Sequence, residues 1–188
     1  MAPHRTLAFL VAATLHAGPL PLQAAEPSVM MGMPVGTTVV VRMREDGLPG
    51  FIVDSMTAIS ATPETGFERR AADVSHAQGA TDKTFPIDGG PDGPLPKPTK
   101  NVIRFSLKQM EGRPGTLLFI ENGYEQGIFF KAEITNDATP LAKGRPTSIC
   151  PVMASFRSVE HWPYAFRYLK ISELAFEDIK PGEPLACR

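Results

Sequence analysis

The stretch Val102 to Lys108, VIRFSLK, decides the fold class. Ile103, Phe105 and Leu107 alternate with Arg104, Ser106 and Lys108. In an extended chain that spacing gives one apolar face and one polar face, the pattern of a half-buried strand. Thr116 to Ile120, TLLFI, is nearly all apolar and reads as a strand buried on both faces. Ile128, Phe130, Ala132 and Ile134 then alternate against Phe129, Lys131 and Glu133. Between the last two runs lies Asn122-Gly-Tyr-Glu-Gln-Gly127, which opens with the turn dipeptide Asn-Gly. An antiparallel hairpin is expected there, with Tyr124 at the tip of a loop of about six residues.

The same pattern extends outward in both directions. Thr37 to Arg44, TTVVVRMR, is β-branched and places Val39, Val41 and Met43 on one face. Gly47, Pro49 and Gly50 mark a turn, and Phe51 to Ser60 reads as a second, less regular strand. Towards the C-terminus, Thr147 to Met153 reads as a strand that carries Cys150 and is interrupted by Pro151. In Leu169 to Phe176, Leu169 and Ile171 are out of phase with Leu174 and Phe176. A bulge near Ser172-Glu173 repairs the shift. Seven or so short strands with turn-rich links predict an all-β fold: one antiparallel β-sandwich, immunoglobulin-like in architecture, over residues 37–188.

Sixteen of the nineteen prolines follow residue 25, a density that excludes a bundle of long helices. One short helix, about Phe67 to Ala77, fits the capping box of Thr65 and Glu68, with Phe67, Ala71 and Val74 on one face and Gly79 as its stop. Residues 86–100 carry five prolines and three glycines and read as a long surface loop. Asp88 and Asp92 within it lack the further acidic residues of a calcium loop.

The first 25 residues read as a secretory signal peptide. Arg5 lies in a short basic start, Leu7 to Ala17 are apolar, Gly18, Pro19 and Pro21 break any helix, and Ala24 and Ala25 precede Glu26. Residues 26–36 are then expected to be a flexible leader, and the mature protein to be periplasmic or secreted. The formal charge of −1 becomes −2 once Arg5 is removed, which offers nucleic acid no electrostatic footprint. No later stretch approaches the ~20 apolar residues of a membrane anchor. Cys150 and Cys187 are the two cysteines, and an oxidising compartment predicts one disulfide between them. It closes a loop of about 38 residues, for which chain entropy gives about 4 kcal/mol.

Three groupings bear on function. Glu160-His161-Trp162-Pro-Tyr164 places an aromatic cluster in what reads as a loop. Together with Tyr124 it supplies a candidate contact surface of Tyr124, His161, Trp162 and Tyr164, because aromatic side chains with polar tips suit recognition. Met30, Met31 and Met33 offer soft thioether ligands that would suit copper(I) in an oxidising compartment. No hydrolase, metalloprotease or phosphate-loop motif is present, so a hydrolase would need distant residues around a general base such as His161. The expectation is an exported, non-enzymatic binding or adaptor domain without a cofactor, its partner a protein or small molecule. Copper(I) handling is the alternative and an unrecognised hydrolase the third reading.

Overall fold

A computed structural model describes residues 30–46, 50–78, 95–179 and 186–188. In chain order its elements are β1 (Met30–Pro34), β2 (Thr37–Met43), β3 (Phe51–Ala58), α1 (Gly66–Gln78), β4 (Ile103–Gln109), β5 (Thr116–Asn122), β6 (Gly127–Thr135), β7 (Arg145–Thr147), β8 (Arg157–Trp162) and β9 (Tyr168–Glu177). The expected signal segment, Gly79, and the Pro86 to Pro94 part of the proline-rich loop lie outside the described residues.

The strands make two antiparallel sheets, one in the order β3-β2-β4-β5-β8 and the other β1-β9-β6-β7. They pack face to face over one apolar core, an all-β sandwich. Ile103, Phe105 and Leu107 of β4 are fully buried in that core, as their alternation requires. Phe105 meets Phe130 across the sheets, ring centroids 5.2 Å apart and planes 81° apart, an edge-to-face contact worth about 1 kcal/mol beyond burial. The all-apolar β5 is buried on both faces: Leu118 and Ile120 join the inter-sheet core, while Leu117 and Phe119 pack with Phe67, Ala71 and Ala72 of α1. The result is three layers, with the helix on the outer face of the five-stranded sheet.

The helix start is held as the sequence implies. Thr65 N–H donates to Glu68 Oε2 and Glu68 N–H donates to Thr65 Oγ1, both at 3.1 Å. Lys108, expected to face water, is instead buried beneath this helix start, with its Nζ 2.9 Å from the Glu68 carboxylate. Burial alone would raise the Glu68 pKa. The Glu64 N–H, the Lys108 ammonium and the Thr65 N–H outweigh it and hold the carboxyl below the usual range.

Several expectations are corrected. β5 and β6 are not a hairpin, because they belong to different sheets. Asn122 Nδ2 donates to the carbonyls of Gln126 (2.8 Å) and Met153 (2.9 Å), and Asn122 Oδ1 accepts from Tyr124 N–H. Those bonds turn the chain across the sandwich instead of back along its own sheet. The strand expected over Thr147 to Met153 ends at Thr147, and Val152 beyond it makes a single bridge to Ile128. Residues 30–34 of the expected flexible leader form β1, paired with β9 from Met30↔Ser172 to Pro34↔Tyr168. Gly36, at φ +82°, then turns the chain from one sheet to the other. β8 is a further strand, where a loop was expected.

The β9 bulge lies where the phase shift required it. Phe129 pairs with Ala175 and Lys131 with Ser172, so Glu173 and Leu174 together face Phe130, and Glu173 takes a φ of +51°.

Because the folded Glu68 carboxyl titrates below its unfolded value, its contribution is complete above the ordinary carboxylate range and is lost as pH falls below that range through the lower folded value. Glu68→Gln should cost about 3 kcal/mol at neutral pH by leaving Lys108 buried without its counter-charge. In urea denaturation across a pH series, the gap between wild type and variant should close on the acid side. A gap independent of pH would remove the ion pair from the account.

Candidate functional site

The expected contact residues are placed largely in the interior. Tyr124 is 8% exposed, edge-on to Phe51 and Phe176, and its hydroxyl accepts the Met43 N–H at 2.8 Å. Trp162 is 4% exposed, packs against Phe166, and donates its Nε1–H to Thr147 Oγ1 at 2.7 Å. His161 is buried on the opposite face of β8, beside Gly115. Tyr164 is half-buried, with the Arg145 guanidinium 5.1 Å above its ring. The four do not make an exposed recognition surface, and the reason is physical. Tyr124 and Trp162 find internal partners for their polar tips, so both ends of each side chain are satisfied inside the sandwich.

Glu160 and His161 share no site either. In β8 Glu160 pairs with Leu118 and faces the inter-sheet core, where it accepts the Cys150 N–H at 3.1 Å. His161 pairs with Leu117 and faces the helix layer. The methionines are divided in the same way. Met31 and Met33 are buried in the core, whereas Met30 is 65% exposed on the other face of β1. Gathering all three thioethers on one copper(I) ion would require β1 to leave β9. Among the described residues, no three His, Cys, Asp or Glu side chains gather at metal-binding distance.

A different site is built on the outer face of the four-stranded sheet, opposite the helix layer. A groove of about 760 Å³ runs there along β6 and β9. Phe129, Ala132, Ala175 and Pro146 give it an apolar lining, and Lys131, Glu133, Glu173 and Arg188 line it with charge. Alternation sends Phe129, Lys131 and Glu133 to this face, while Ile128, Phe130 and Ile134 fill the core. The bulge turns Glu173 towards Lys131, whose Nζ lies 2.6 Å from its carboxylate. Glu133 accepts from Gly144 N–H at 3.0 Å and pairs with Lys170 at 2.7 Å. The Lys170 hydrogen bond leads in holding the Glu133 carboxyl below the usual range, against a smaller opposing effect of burial.

One wall of the groove comes from Arg188. Cys150 and Cys187 form the expected disulfide. Next to it, Ile149 and Arg188 exchange two backbone hydrogen bonds, at 2.7 and 2.9 Å. Arg188 is thereby laid over Phe129, 4.7 Å from the ring centroid, and ion-paired with Glu177. Sequence reasoning placed Phe129, Lys131 and Glu133 on the outer face of β6 but assigned that face no role. Arg188 enters the site only through the disulfide, whose position in space no local pattern reveals.

The chain matches no known family model, no curated protein and no solved structure. Among the described residues no helix is long and apolar enough to cross a membrane.

Replacing Cys150 and Cys187 together by serine should cost about 2–4 kcal/mol in chemical denaturation. The two-sheet core should survive, because neither cysteine belongs to it. Unchanged stability in the double variant would mean that the bridge does not constrain the unfolded chain.

Proposed function

We propose that this protein is an exported, non-enzymatic binding domain whose groove along β6 and β9 takes an extended peptide segment of a partner protein. One observation carries the reading: Arg188, tied down by the disulfide, walls an open groove that combines an apolar lining with charges of both signs. An extended peptide offers alternating apolar and polar side chains at about 3.3 Å per residue, which suits an apolar lining flanked by carboxylates and cations. Loops and faces held on a rigid β scaffold are where such domains bind. The charge pairs Lys131–Glu173 and Lys170–Glu133 are already formed, so a ligand gains by adding contacts to them and not by neutralising them.

Export to the periplasm or the exterior is part of the proposal. It is supported by the order of basic start, apolar run, helix breaker and small residues over 1–25. The disulfide adds support, since such bonds persist in oxidising compartments.

Displayed random peptides selected on the disulfide-bonded chain should bind Phe129→Ala and Lys131→Glu at least about tenfold more weakly, a loss of about 1.4 kcal/mol. Both positions are on the outer face, and thermal melting of each variant serves as the check on folding. Selected peptides that bind wild type and both variants equally would place recognition elsewhere and end this reading of the groove.

A further inference from the structure

β3 is the outermost strand of the five-stranded sheet, hydrogen-bonded to β2 along one edge, and among the described residues no strand pairs with its other edge from Ile52 to Ala58. From Ile52 to Ala58 every residue is exposed. Ile52, Val53 and Met56 are 42%, 43% and 48% exposed, and Met43 beside them on β2 is also 48% exposed. Edge strands are commonly blunted by proline or lysine, and β3 contains neither. Its one charge, Asp54, is held 3.1 Å from Arg42 of β2.

The register of β3 identifies the strand that fits it. Val39 pairs with Met56 and Val40 with Ser55, whereas Val41 pairs with Val53, so Asp54 is an extra residue in a bulge. Residues directly opposite in a sheet share a face. Val39 and Val41 face the core, so Val53 and Met56 both lie on the core-side face, although they are three residues apart. By the same pairing Phe51 and Ala58 share that face, and Ile52 and Thr57 lie on the other with Ser55. Asp54 joins them through its bond to the outward-facing Arg42. The face pattern of the strand therefore reads the same from either end about a centre between Asp54 and Ser55.

We infer that this edge pairs antiparallel with β3 of a second copy of the chain, about a two-fold axis between Asp54 and Ser55. In that register Val53 lies opposite the partner's Met56, Ile52 opposite the partner's Thr57, and Asp54 opposite the partner's Ser55. Apolar side chains meet on the core-side face and no like charges stand opposite each other. A strand without a bulge must break its pairing once to stay in phase with β3, as β2 does. A second β3 carries its own bulge and stays in phase along the whole edge. The two five-stranded sheets become one continuous sheet of ten. An eight-residue strand pair lies at the small end of specific interfaces, so the dimer dissociates on dilution.

Sedimentation of the disulfide-bonded chain over a wide concentration range tests this. Wild type is expected to pass from monomer to dimer as concentration rises. The double variant Val53→Lys, Met56→Lys and the double variant Val53→Glu, Met56→Glu should each associate at least tenfold more weakly. Both replaced side chains are exposed in the monomer, so folding is retained, and circular dichroism verifies it. Mixing the lysine and glutamate variants should restore a dimer, because each lysine then faces a glutamate across the axis. A wild type that stays monomeric throughout, which leaves the edge to a foreign strand or to none, overturns the proposal. A dimer indifferent to both variants overturns it too.

Discussion

Each strand here contributes to the core only while its side chains stay in phase with the sheet it joins. Slipping by one residue turns a whole apolar face towards water. The inter-sheet core reaches from Met31 and Met33 on β1 to Leu169, Ile171 and Leu174 on β9. The last three residues cannot all point inward along a regular strand, because Ile171 and Leu174 are three apart. The bulge at Glu173 restores the phase, with a left-handed backbone at a residue that is not glycine. Such a conformation costs on the order of 1 kcal/mol and persists because packing on both sides determines it. The same bulge aims Glu173 at Lys131 and shapes the floor of the outer groove.

The two outer faces of the sandwich are treated differently. The five-stranded sheet is covered by α1, and the cover brings a buried cation with it. Lys108 projects from an outward position of β4 into the helix start and is satisfied by the carboxylate that also caps that helix. One side chain, Glu68, thus closes the helix end and neutralises the sheet beneath it. The described residues place no such cover over the groove on the four-stranded sheet, where charges are paired at the surface and Arg188 alone is brought in from a distant part of the chain.

The alternation in VIRFSLK, the doubly buried TLLFI, the capping box and the β9 bulge were legible in the sequence because each is a local pattern with one physical solution. The bulge in β3 was not. Its strand reads as irregular because most of its side chains are exposed, so no apolar face marks where the phase changes. Met30 to Met33 and the Trp162 cluster were legible as chemistry but not as placement. A thioether serves equally as a soft ligand or as core filling. An indole serves equally as a contact or as a buried ring with a hydrogen bond, and the partner that decides, Thr147, is fifteen residues away. The apparent hairpin failed for a related reason. Asn-Gly announces a turn but not the sheet to which the chain returns, and Asn122 sets that through bonds to Gln126 and Met153.

The two bulges show how one backbone device has different consequences at different places in a sheet. In β9 the extra residue lies in an interior strand, paired with β6 and just past the end of the β1 pairing at Ser172, and what changes is the direction of a side chain. In β3 the extra residue lies on an edge, and what changes is the phase of a strand that another chain can reach. A bulge is usually counted among the features that protect an edge, because a regular strand meets it out of phase. A regular strand pairs with it only by breaking its own pairing once, as β2 does, whereas a copy of β3 carries the matching break. A preference for one's own strand over a regular one thus follows from a single inserted residue, which sets the phase in which Val53 and Met56 meet their counterparts.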